Sequence, residues 1–108
     1  MKLLLDENLP RKLKSEFGAA HQVFTVSDMK WTGIKNGELL GLLVMHGFDA
    51  LVTIDKNLQF QQNLAKFPIR LFVLDAPSNK IPVLKPYIQN LLLRLPQLPT
   101  EQVLVVQV

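Results

Sequence analysis

The sequence predicts a three-layer α/β/α fold built on a Rossmann-like, mainly parallel sheet of five strands, and three observations carry that expectation. Short apolar runs alternate with longer stretches of helical spacing, the signature of α/β architecture. The runs are continuous rather than alternating, as in strands covered on both faces. Four of them stop at an aspartate: Leu3-Leu4-Leu5-Asp6, Phe24-Thr25-Val26-Ser27-Asp28, Leu51-Val52-Thr53-Ile54-Asp55 and Leu71-Phe72-Val73-Leu74-Asp75.

The first strand is Lys2–Leu5. Asn8-Leu9-Pro10 then reads as a helix start, with Asn8 as cap and Pro10 in the first turn. Leu9, Leu13 and Phe17 follow at helical spacing, and Gly18 ends the element. Residues 22–26 form the second strand. A loop, 29–35, carries Trp31 and Gly33. Asn36 is the expected cap of the next helix, whose stripe is Leu39, Leu40, Leu43 and Val44, with Gly47 as its stop. Residues 50–54 make the third strand and 59–65 a short helix. Arg70–Leu74 is the fourth strand. Ser78 or Asn79 caps a long helix reaching about Leu95, with Pro82 in its first turn, Pro86 bending it, and Pro96 and Pro99 closing it. Val103–Val106 is the fifth strand, apolar enough to be buried or to pair with a second copy as a homodimer.

The 108 residues suit one domain, 1–108, and 48% apolar against 19% charged residues suits a packed core. There are no cysteines, which excludes a disulfide scaffold, a thiol nucleophile and cysteine-ligated metal. No apolar run approaches the ~20 residues of a membrane span, so no membrane partner is expected. Lys2, Leu3–Leu5 and Asp6 make too short a core for an export signal, which points to the cytoplasm. Twelve Lys and Arg against nine Asp and Glu give a formal charge of +3. That excess permits nucleic-acid binding without requiring it.

In a parallel sheet all strand ends share one edge, the edge where such folds bind ligands. Four carboxylates are thereby drawn toward one place. Like charges resist joint ionisation, and hard oxygen ligands suit Mg²⁺ or Mn²⁺. Taken singly, each aspartate is also explained as a turn or cap residue. Asp75, before Ala76-Pro77-Ser78, is the plainest such case. Asp6 and Asp55 are the stronger metal candidates, and Glu38, in the first turn of a helix opening on the same edge, is the third.

Leu4-Leu5-Asp6-Glu7-Asn8-Leu9-Pro10, Lys35-Asn36-Gly37-Glu38-Leu39-Leu40 and Leu51-Val52-Thr53-Ile54-Asp55-Lys56-Asn57-Leu58, with Gln61-Gln62-Asn63-Leu64, resemble a family of small stand-alone PIN-like proteins of bacteria. The family is a domain of unknown function within the PIN-like nuclease superfamily, and the resemblance runs from Met1 to about Asn79. It implies a Rossmann-like sheet between helices and an acidic cluster binding Mg²⁺ or Mn²⁺ for RNA hydrolysis. Many relatives are toxins paired with an antitoxin protein. Asp6, Glu38 and Asp55 match the family's acidic positions. The chain departs from the pattern at Asn36 and Asn57, where many members carry aspartate. Two fewer negative charges weaken a divalent site, which leaves a second reading: a non-catalytic RNA- or protein-binding module with a degenerate acidic site.

Lys56 can steady a phosphate or neutralise a carboxylate. Arg11, Lys12 and Lys14 can track an RNA backbone, or simply solvate a helix face. Asn8, Asn36 and Asn57 can bind substrate through their amides. Phe60 and Trp31 can stack bases, although Trp31 also suits a cover over the core. A third reading is a phosphoryl-accepting receiver domain, in which Asp6-Glu7 mimics the acidic pair and Asp55 sits near the acceptor position. The late strand-end lysine that it needs is missing, because Asp75 stands there.

Overall fold

The structure is a computed structural model and describes residues 1–97 and 101–108; Pro99, expected to help close the long helix, lies outside them. Five strands, β1 (Lys2–Leu5), β2 (Gln22–Thr25), β3 (Ala50–Thr53), β4 (Arg70–Leu74) and β5 (Val103–Val106), form one sheet in the order β2-β1-β3-β4-β5. Every neighbouring pair is parallel. The helices are α1 (Asn36–Met45), α2 (Leu58–Gln61) and α3 (Ile81–Arg94), with 3₁₀ turns at Arg11–Phe17, Leu64–Lys66 and Leu95–Gln97. The predicted α/β class is the one observed. No helix among the described residues is long and apolar enough to cross a membrane.

The continuous runs have the predicted cause. Side chains alternate between faces along a strand, so a run buried on both sides must be apolar at every position. Leu3 and Leu5 join Ala50, Val52, Phe72, Leu74, Leu104 and Val106 on one face. There they meet Leu13 and Phe17 of the first 3₁₀ turn and Leu84, Ile88 and Leu91 of α3. Leu4, Leu51, Leu71 and Val73 face the other way, onto Leu39, Leu40 and Leu43 of α1 and Leu58 of α2. Leu104 and Val106 are buried in this chain's own core.

Several expectations about the elements and their ends are corrected. The segment after β1 is 3₁₀ rather than α, although Leu9, Leu13 and Phe17 are buried as the spacing predicted. It spans seven residues, starts behind Pro10, has no side-chain cap and opens with an i→i+3 bond from Leu13 N–H to the Pro10 carbonyl. Short segments with few satisfied ends tighten in this way. Neither Asn8 nor Asn36 is a cap: Pro10 and Lys35 occupy those positions, Asn8 turns to Thr53, and Asn36 is the first helical residue. Lys80, not Ser78 or Asn79, precedes α3, and Asn79 Nδ2 donates instead to the Asn8 carbonyl at 3.2 Å. The 59–65 helix is split into α2 and a 3₁₀ turn, and β3 ends at Thr53.

β5 is a sheet edge. The carbonyls of Gln102 and Val106 accept bonds from β4 and its end, so those of Val105 and Gln107 turn outward. α3 covers both: Arg94 Nη1 donates to Val105 O at 3.2 Å and Asn90 Nδ2 to Gln107 O at 2.8 Å. At the start of β5, Gln102 Nε2 donates to the carbonyls of Leu64, Phe67 and Ile69 at 2.7, 2.8 and 2.9 Å.

Candidate functional site

The strand order reverses between β1 and β3. The segment leaving β1 lies on one face and leads to β2, whereas α2, leaving β3, lies on the other and leads to β4. A crevice at such a reversal is where doubly wound sheets bind ligands. Asp6 follows β1 and Asp55 follows β3, so both flank it.

Thr53, the last residue of β3, is the hub. It is fully buried, and its Oγ1 donates to Asp6 Oδ2 at 2.8 Å. The same oxygen accepts from Asp55 N–H at 3.0 Å and from Asn8 Nδ2 at 3.3 Å. Glu7 N–H donates to the other Asp6 oxygen at 2.8 Å. Asp6 is only 8% exposed. Burial pushes its carboxyl above the ordinary carboxylate value, and the neighbouring Asp55 and Glu7 charges push the same way, against the bonds from Thr53 and Glu7 N–H. None of the ion pairs among the described residues involves Asp6 or Asp55.

Asn8 Oδ1 is buried and has no hydrogen-bond partner. Such an atom loses its hydration without recompense. An unpartnered carbonyl oxygen beside two uncompensated carboxylates is the donor set a hard divalent cation takes. A hard divalent cation such as Mg²⁺ or Mn²⁺ is compatible with this chemistry, and Asp6, Asp55 and Asn8 are the residues that would offer it oxygen donors.

Glu38 lies in the first turn of α1, exposed, at the same end of the sheet, but no hydrogen bond among the described residues joins it to either aspartate. No group of three His, Cys, Asp or Glu among the described residues is placed to hold a metal ion. The acid brought beside Asp6 in Glu38's stead is Glu7, whose Oε1 accepts Gly33 N–H at 2.6 Å and ties down the loop before α1. Asn57 N–H donates to Asp55 Oδ1 at 3.0 Å, which fastens Asp55 to the start of α2. Lys56 neutralises Asp75, at 2.7 Å, rather than Asp55, and Gln107 Nε2 donates to the other Asp75 oxygen. Arg11 and Lys12 are exposed beside the edge and, with Lys14 and Asp28, line a depression of about 350 Å³. A depression of about 380 Å³ at the opposite edge, among Met1, Asp49, Arg70 and Gln102, holds no carboxylate pair. Trp31 packs edge-on against His46 and tilted on Phe48, as a cover over the core.

Asp28 is spent on structure. Lys14 Nζ lies 2.7 Å from its carboxylate and Thr25 N–H donates to the same oxygen, which together hold its pKa down at about 2 against the ordinary 3.8. The ionised form thus favours the fold above about pH 4, and that contribution is lost as pH falls toward 2. The pair is solvent-screened, so Asp28→Asn is expected to cost about 1 kcal/mol at pH 7 and clearly less at pH 2, read from urea midpoints at the two pH values.

From the sequence, the Thr53 hydroxyl has no assigned role, and Glu7 figures only as a partner of Asp6. The signal for Thr53 was present: one hydroxyl in an otherwise apolar strand has to find a polar partner. Comparison with protein-family models, curated proteins and solved structures finds no match to this chain.

Proposed function

We propose that the chain is a Mg²⁺- or Mn²⁺-dependent ribonuclease acting from the strand-end edge. The observation that carries this reading is the buried Asp6 held near Asp55 at the sheet's reversal point, with the buried Asn8 Oδ1 left without a hydrogen-bond partner. Asp6 and Asp55 would hold the ion with Asn8, and Glu38 would complete the acidic edge from α1. When bound, the ion polarises a scissile phosphate and lowers the pKa of an attacking water. Thr53 fixes the Asp6 carboxylate and Asn57 N–H fixes Asp55, so neither has to be ordered when substrate arrives. Arg11 and Lys12 supply positive charge for the RNA backbone, and Lys56 reaches it from its place beside Asp75. The cytoplasm is the compartment this reading takes, and an antitoxin protein is its natural partner.

Two observations favour a second reading. Asn36 and Asn57 are neutral where relatives of this pattern carry acids, and no three acidic side chains converge among the described residues. On that reading the chain is a non-catalytic RNA- or protein-binding module. Calorimetric titration with Mn²⁺ separates the two. Saturable binding at millimolar concentration or below, with Mn²⁺-dependent cleavage of RNA, is the expected result. Absence of both leaves the binding module.

A further inference from the structure

We infer that residues 57–63 form a nucleobase platform, in which Phe60, a few residues after Asp55 in the chain, stacks an unpaired base of the RNA. The inference rests on the ribonuclease reading for its substrate, not for its geometry. Phe60 is 82% exposed, although its neighbour two residues earlier, Leu58, is fully buried. Burial of an aromatic ring is favourable, so a ring left in water forgoes that gain.

What surrounds the ring is specific. The segment reads Asn57-Leu58-Gln59-Phe60-Gln61-Gln62-Asn63: five amides and no charge. Gln59 Nε2 bonds back to the Lys56 carbonyl, and Gln62 Oε1 sits against Gly37 in the first turn of α1, 3.1 Å from where a Cβ would stand. Asn57, Gln61 and Asn63 are exposed, and no hydrogen bond among the described residues uses their side chains. An uncharged amide offers both donors and an acceptor, the groups that read the edges of splayed-out bases. A ring flanked by such amides fits a flat, hydrogen-bonding ligand.

The placement joins this surface to the proposed chemistry. Asn57 N–H is bonded to Asp55 Oδ1, and Phe60 N–H to the Asn57 carbonyl at 2.9 Å. The Phe60 backbone therefore lies within one turn of Asp55. Duplex RNA keeps its bases stacked internally and cannot offer a face to Phe60, whereas a single strand can.

The test is binding of a single-stranded RNA containing 2-aminopurine, and of its duplex, in EDTA so that cleavage is off. The wild type is expected to prefer the single strand and to quench the probe. Phe60→Ala should weaken single-strand binding about tenfold and abolish the quench, and Phe60→Tyr should restore both. Unchanged affinity and quench in Phe60→Ala, equal binding of duplex, or no RNA binding at all would overturn the inference, and the ring would then be assigned to a protein partner. Cleavage is read separately with Mn²⁺. Stacking without cleavage ends the nuclease reading alone; cleavage unaffected by Phe60→Ala ends only the platform.

Discussion

Asp6→Asn is expected to lower Mn²⁺-dependent RNA cleavage by about a thousandfold, because loss of a ligand forfeits the several kcal/mol of transition-state stabilisation the ion supplies. The fold is expected to survive the change, since asparagine can keep one of the two bonds that Asp6 accepts, from the Thr53 hydroxyl or from Glu7 N–H. A gel assay of both proteins over a Mn²⁺ series checks this, and equal rates would remove Asp6 from the site. The same variant carries a stability signature. Burial raises the Asp6 pKa in the folded chain above its unfolded value. The protonated form is therefore the one that favours folding, and stability is lost as pH rises through the folded pKa. Relative to wild type, Asp6→Asn should gain stability on going from pH 3 to pH 8, without added metal. Urea midpoints that stay parallel over this range would contradict the assigned burial.

Phe72→Ala should be the most damaging single change to the fold. Phe72 lies in the middle of β4, in register with Val52 on one side and Leu104 on the other, and is 1% exposed. Removing it deletes a large ring from the face shared with α3, at about 3–5 kcal/mol. Domains of this size melt about 4–8 °C lower for each kcal/mol lost. A fall in melting temperature of at least about 12 °C is thus expected, against little change for Phe60→Ala, whose ring is already in water. Calorimetric melting of the two variants compares a buried and an exposed phenylalanine in one molecule.

Some of this was legible in the residues and some was not, for physical reasons. Leu3, Leu4 and Leu5 announce a strand buried on two faces, because only that environment tolerates three consecutive leucines at 0% exposure. Parallel strands place Asp6 and Asp55 on one edge whatever the strand order. Their adjacency needs β1 beside β3, and that pairing is decided by which crossovers pack on which face, not by either run alone. The role of Thr53 follows from the same register, since its partner Asp6 is 47 positions away in the chain. Asn8 has cap chemistry, and the competing site, Thr53 Oγ1, exists only once β1 and β3 have paired. Glu38 stands at the correct end of α1, yet its side chain is exposed there, and helical position alone does not bring an acid to a crevice. Pro10 explains the 3₁₀ segment in retrospect, although nothing in the spacing of Leu9, Leu13 and Phe17 distinguishes it from a regular helix.

The outer margin of β5 has a bearing on how these molecules meet one another. A bare strand margin is a template onto which another chain can add its own backbone. Here Arg94 and Asn90 already occupy the acceptors at Val105 and Gln107. An incoming copy would compete with both bonds for these carbonyls, so edge-to-edge pairing along β5 is disfavoured. Arg94→Ala with Asn90→Ala should therefore leave the monomer folded and make it prone to concentration-dependent assembly.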